Sequence, residues 1–137
     1  MTFSVRVVVR GYELDLNGHL GGAVYHQYGD HARWECLRAA GITVAELQAA
    51  GLSPVTLEST IRYHRELTAG DEVEITCEFL WGEGKTFRVV QELRRDGEPA
   101  AEIASVGGLL DPATRRLVPE PGTRWRALAT APERLGL

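Results

Sequence analysis

Cysteine is scarce in this chain: Cys36 and Cys77 are the only two, and no CxxC spacing joins them. A disulfide framework and a thiolate metal site therefore have no ligands, and both residues read as reduced thiols in a core. Long apolar runs are missing too. Arg6 and Arg10 interrupt the opening stretch MTFSVRVVVRGYELD before it reaches the length of a secretory signal, and nothing later approaches a membrane span. Positive charge is in deficit, with 15 Lys and Arg against 19 Asp and Glu and a net charge of -4. An acidic protein gains nothing from counterion release, so neither nucleic acid nor an anionic membrane is expected as a partner, and a phosphate-bearing ligand would need a local cluster of cations. There is no internal repeat and no low-complexity segment. A cytoplasmic enzyme or small-ligand binder is left, and 137 residues, 44% of them hydrophobic, suffice for one domain over 1–137 with a real core.

Hydrophobic periodicity changes twice along the chain. Phe3, Val5, Val7 and Val9 alternate with polar residues, predicting a strand over roughly Thr2 to Gly11. YELDLNGHLGG, with three glycines and no period, predicts a loop. Tyr25, Tyr28, Ala32, Cys36 and Ala39 then recur at helical spacing, with Gly41 as a stop. Thr43 and Glu46 make a capping box for a short second helix that ends near Gly51. From Ser53 the period returns to two. Val55, Leu57, Ser59, Ile61 and Tyr63 form one face of a strand, and Val73, Ile75, Cys77, Phe79 and Trp81 one face of the next. Lys85 to Arg95 continues the alternation, and Asp96-Gly97 predicts a tight hairpin into a last strand over about Ala100 to Leu110. Pro112, Pro119 and Pro121 break the pattern, and a short helix is expected within Arg124 to Leu137.

This order, one strand, a long helix, a short helix and four antiparallel strands, predicts an α+β chain. The long helix must bury its apolar stripe against the only large apolar surface on offer, the concave face of the sheet. A curved antiparallel sheet wrapped around one helix is the hotdog fold. Its open edges favour pairing with a second copy.

The stretch from Tyr12 to Arg33, YELDLNGHLGGAVYHQYGDHAR, is the most informative. It resembles the signature of the 4-hydroxybenzoyl-coenzyme A thioesterase family, an aspartate loop D-x-x-G-H-V-N-N followed by Y-x-x-Y and a terminal A-R on the helix. Asp15, Gly18, His19, Tyr25, Tyr28, Ala32 and Arg33 stand at the matching offsets, and IRYHRELTAGDEVEI, Ile61 to Ile75, is similar to that family's second and third strands. The resemblance implies an acyl-CoA thioesterase without cofactor, a homodimer or homotetramer, whose site lies at the subunit boundary. Coenzyme A and an acyl carrier protein both remain open as the carrier of the acyl group.

Elementary chemistry points the same way. A loop carboxylate at Asp15 and the start of the helix at Gly22 can face one point, where the unpaired N–H of Gly22 or a neighbour would polarise a thioester carbonyl and stabilise its oxyanion. Asp15 would attack that carbonyl or activate a water for the attack, and the residues leave both routes open. Gly21 and Gly22 let the acyl group approach the backbone, although the family more often carries Asn-Asn there. His19 is placed to orient water or thioester, and Tyr25, on the buried stripe with Tyr28, can also line an acyl pocket. Lys85 and Thr86 match the family's basic nucleotide loop, here thinned by Glu83 and Gly84, with Arg62, Arg65 and Arg88 as further cations for a phosphate. His26 and His31 are five apart and cannot face one metal, so no metal site is expected. Two rivals remain. An (R)-specific enoyl-CoA hydratase is suggested by Asp15-Leu16-Asn17-Gly18-His19, one residue short of the D-x-N-P-x-H motif of that hotdog family and without its proline. The other is a hotdog protein that binds acyl thioesters without turnover.

Overall fold

The computed structural model describes residues 2–137. Within them β1 (Phe3–Val8), β2 (Ser53–Tyr63), β3 (Glu72–Leu80), β4 (Thr86–Arg95) and β5 (Glu98–Asp111) form one antiparallel sheet in the order β1-β3-β4-β5-β2, with β6 (Arg116–Leu117) folded back onto β5. Three α-helices accompany it among these residues: α1 (Gly22–Ala39), α2 (Val44–Ala49) and α3 (Pro121–Leu128). No helix among the described residues is long and apolar enough to cross a membrane.

Tyr25, Tyr28, Ala32, Cys36 and Leu37 turn inward from α1 onto the sheet, each side chain worth very roughly 1.5–3 kcal/mol when fully buried and less for Ala and Cys. The stripe ends in Leu37 and Ala40 rather than in Ala39, which stays half-buried. Gly29 brings α1 close to the sheet: a Cβ there would sit 3.0 Å from Ile103 Cδ1 and 3.1 Å from Gln91 Oε1. The buried Gln91 uses that proximity to donate from Nε2 to the Gly29 carbonyl at 2.9 Å. Cys36 and Cys77 face each other across the same interface as buried free thiols. The Cys77 thiol is pushed well above its ordinary value by its hydrogen bond with Cys36 and by burial, which keeps it protonated and unreactive.

Local sequence accounts for the ends of these elements. Thr43 caps α2 by accepting the Glu46 N–H at 3.1 Å. Asp96 and Gly97 both take positive φ, as a two-residue hairpin with matched twist requires. Asp71 accepts from the Thr68 N–H at 2.8 Å and from Arg95 at 3.0 Å, and these contacts hold its carboxyl below the usual range and lock the β2–β3 connection. Gly41 follows α1 with φ +82°, and a Cβ on it would lie 1.8 Å from Thr130 Oγ1. Gly41→Ala is therefore expected to cost roughly 2–4 kcal/mol, the left-handed penalty added to overpacking. In urea it should lower the midpoint without changing the slope.

Two expectations need correction. The single alternating face proposed for β2 does not run through its length. Thr56 pairs with Gly107 and Ser59 with Ser105, so Leu57 is an extra residue, a bulge, and its side chain is half exposed. The C-terminal helix starts earlier than Arg124, because Pro121 occupies its first turn, where a missing N–H costs nothing. That shift carries Trp125 into the core at 1% exposure. Its Nε1 is buried without a hydrogen-bond partner among the described residues, a deficit of about 1–3 kcal/mol.

Candidate active site

The loop before α1 is a tight, self-braced turn. Leu14 and Leu20 form a β-bridge, the Asp15 N–H donates to the His19 carbonyl at 2.7 Å, and Gly18 takes φ +75°. Asp15 braces the turn with one carboxylate oxygen only: Oδ1 accepts the N–H groups of Asn17 at 2.9 Å and His19 at 3.2 Å. Oδ2 has no protein donor among the described residues. The side chain thus caps its turn and keeps a free oxygen.

A second brace fixes this turn against the helix. Gly21, the N-cap of α1, donates its N–H to the Glu13 carbonyl at 2.9 Å. The mostly buried Glu13 carboxylate accepts the Tyr28 hydroxyl at 2.7 Å and the Arg10 N–H at 2.9 Å. Burial and the contact with Glu13 raise the Tyr28 hydroxyl far above its ordinary value, so it serves as a fixed donor. Glu13 is absent from the sequence-based candidates; nothing in its spacing marks it.

Beyond Gly21 the N–H groups of Gly22 and Ala23 find no acceptor among the described residues, while Val24 N–H turns back to the Gly21 carbonyl at 3.0 Å. Gly22 lines a cleft of about 360 Å³ together with Asp15, His19, Leu20, Tyr25, Tyr63, His64, Arg65 and Glu66. Four predicted residues, Asp15, His19, Gly22 and Tyr25, therefore meet in one place. Burial raises the Tyr25 hydroxyl above its usual range, and the nearby Tyr63 and the negative charges of Asp15 and Glu66 add to it.

The end of β2 supplies the opposite wall. The Tyr63 ring meets Tyr25 edge-on with centroids 5.0 Å apart, and its hydroxyl lies 3.6 Å from where a Cβ of Gly22 would stand. Arg65 reaches the cleft while paired with Glu98 at 2.9 Å. Tyr63, His64 and Glu66 were not singled out from the sequence, although Tyr63 and the alternation that points it inward were visible there.

The remaining predicted binding residues lie elsewhere in the chain. Gly21 is behind the cleft, its N–H spent on Glu13. Arg62 sits on the outer face of the sheet, in a trough of about 590 Å³ shared with Arg94 and Glu102. Lys85 and Thr86 stand at the far end: Thr86 pairs with Gly108 and Tyr63 with Ala101, seven residues along β5, or about 23 Å. No group of three or more acidic, His or Cys side chains among the described residues could hold a metal ion.

Residues 9–131 match the family model of the thioesterase-like superfamily. An acyl-acyl carrier protein thioesterase of Arabidopsis thaliana, ATL3, is 37% identical over 68 residues, which is 50% of this chain and 36% of that protein. The chain thus matches well under half the length of that relative. Among solved structures, a 1,4-dihydroxy-2-naphthoyl-CoA thioesterase from Synechocystis superposes with a TM-score of 0.82 at 14% identity, covering 93% of this chain and 95% of the other. A Staphylococcus aureus protein in complex with CoA reaches 0.81 at 22% identity, covering 93% and 82%. These likenesses establish the shared hotdog fold.

Proposed function

This chain belongs to the thioesterase-like superfamily, and from that premise we propose that it hydrolyses an acyl thioester, with Asp15 and the start of α1 acting on the same carbonyl. The observation that carries the reading is the meeting in one cleft of the Asp15 carboxylate and of Gly22, the first residue of α1, whose N–H has no other acceptor among the described residues. The thioester oxygen docks against the N–H of Gly22, where the helix terminus favours the negative charge that develops during attack. In the general-base route a water attacks the carbonyl carbon and passes its proton to Asp15. The C–S bond then breaks, and Asp15 returns that proton to the departing sulfur, leaving acid and thiol. In the nucleophilic route Asp15 attacks the carbonyl carbon, the C–S bond breaks and the thiolate leaves. Water then opens the resulting anhydride to the free acid and the Asp15 carboxylate, and the proton released goes to the thiolate. Tyr25 and Tyr63 flank the acyl group, and His19 orients the water.

The acyl carrier we assign is coenzyme A, with an acyl carrier protein as the second choice raised by the Arabidopsis relative. Arg65 is the cation at the cleft. Lys85, Thr86 and Arg62 are too remote within one chain, so their use for the nucleotide rests on a second copy. A homodimer or homotetramer that extends the sheet through the free edge of β2 is the form we propose to be active.

A 2-enoyl-CoA separates the rivals. The hydrolase releases free thiol and leaves the double bond intact; a hydratase removes the double bond and releases none. Hydration without thiol would replace the present reading.

A further inference from the structure

A second interior space, under the later turns of α1, takes no part in the chemistry above. It measures about 200 Å³, and its walls include Trp34, Val55, Phe79, Phe87 and Trp125. Phe79, Phe87 and Trp125 form a continuous aromatic floor, with centroid spacings of 5.9 and 6.5 Å. The polar groups at its rim are engaged: Arg33 pairs with Asp30 and donates to Thr56 Oγ1 at 3.3 Å, and Ser105 Oγ meets Ser59 Oγ at 3.3 Å. The Trp125 Nε1–H, buried and without an acceptor, is left over among the described residues.

The space lies within reach of the cleft. α1 rests on β1 and β3, which leaves the inward side of β2 uncovered between them. Ser59 is exposed and Ile61 half-buried on the strip from Tyr63, at the cleft, to Thr56, at the cavity. Along α1, eight residues separate Gly22 from Asp30, or about 12 Å. A ring bonded directly to the thioester carbonyl is too short to bridge that distance; a flexible chain is not.

We propose that this cavity receives the distal part of a medium- or long-chain aliphatic acyl group that carries an oxygen there, as a hydroxyl or keto group, and that the Trp125 Nε1–H donates to that oxygen. The assignment rests on the hydrolase reading of the Asp15 cleft. An apolar chain buries itself against the aromatic floor, while the oxygen supplies the acceptor that the protein itself lacks.

The test compares kcat/KM for ω-hydroxydodecanoyl-CoA, dodecanoyl-CoA and butyryl-CoA. The wild type should favour the hydroxylated chain over the plain one by about tenfold, the worth of one buried hydrogen bond. Trp125→Phe, checked for an intact melting transition, should bring that preference close to one. Should Trp125→Phe fail to fold, Thr56→Phe, which lines the cavity from the inward face of β2 opposite Gly107, narrows it and should lower the ratio of dodecanoyl to butyryl turnover by about tenfold. No preference in the wild type, a preference that survives in Trp125→Phe, or an unchanged chain-length ratio in Thr56→Phe overturns the proposal. If none of the three thioesters is hydrolysed, the hydrolase reading fails. The cavity is then judged by calorimetry with ω-hydroxydodecanoate against dodecanoate: tighter binding of the former, lost in Trp125→Phe, upholds it, and equal binding ends it.

Discussion

Replacing Asp15 by Asn should lower kcat for thioester hydrolysis by about 10²–10⁴-fold, the usual contribution of a positioned acid or base. The exchange separates the two duties of this side chain. Asn retains the Oδ1 acceptor that braces the N–H groups of Asn17 and His19, so the turn before α1 should keep its shape. It replaces the free oxygen with an amide nitrogen that can neither attack a carbonyl nor accept a proton from water. Stability measured by thermal unfolding is expected to move by less than about 1 kcal/mol, as for a substitution that preserves its hydrogen bonds. A drop in kcat with an unchanged melting transition is thus assigned to chemistry. A parallel fall in both would assign Asp15 to the loop alone.

Gly22→Pro addresses the other half of the site. Gly22 is the first residue of α1, and Gly21 before it has φ -65° and ψ 145°, the extended conformation that a following proline demands. Proline at the first helical position is well tolerated, since the N–H it lacks makes no bond within the helix. The substitution deletes the unpaired N–H of a residue that lines the cleft, with little damage to the helix that bears it. Loss of one oxyanion donor typically lowers kcat by about 10²–10³-fold, and that is the effect expected here. If the Ala23 N–H carries the oxyanion instead, Gly22→Pro will leave kcat within a few-fold of wild type.

Much of this architecture was legible in the sequence because the signals were local. The helical stripe from Tyr25 to Cys36, the N-cap at Thr43 and the hairpin at Asp96-Gly97 each depend on neighbours within a few positions and appear as expected; of the capping box only the Thr43 half forms. The register of β2 depends instead on its partner β5. Leu57 fits an apolar alternation by its own chemistry, and only pairing with Val106 and Gly107 exposes it as the extra residue. Pro121 was read as a breaker since proline starts and ends helices alike.

The site divides in the same manner. Asp15, His19, Gly22 and Tyr25 share one loop-helix segment, so their convergence follows from spacing. Tyr63 arrives from a strand far along the chain, and Glu13 acts through a fold-back onto Tyr28 that no local pattern records. Arg62 and Lys85 were chosen for charge, and strand pleat and sheet length carry them to the outer face and the far end.

The most direct measurement is the appearance of free thiol when the purified protein meets a panel of saturated and aromatic acyl-CoA substrates. Steady turnover of at least one of them, abolished in Asp15→Asn, is the predicted result. Saturable binding of the panel with no thiol released, or release that Asp15→Asn leaves undiminished, would contradict the account.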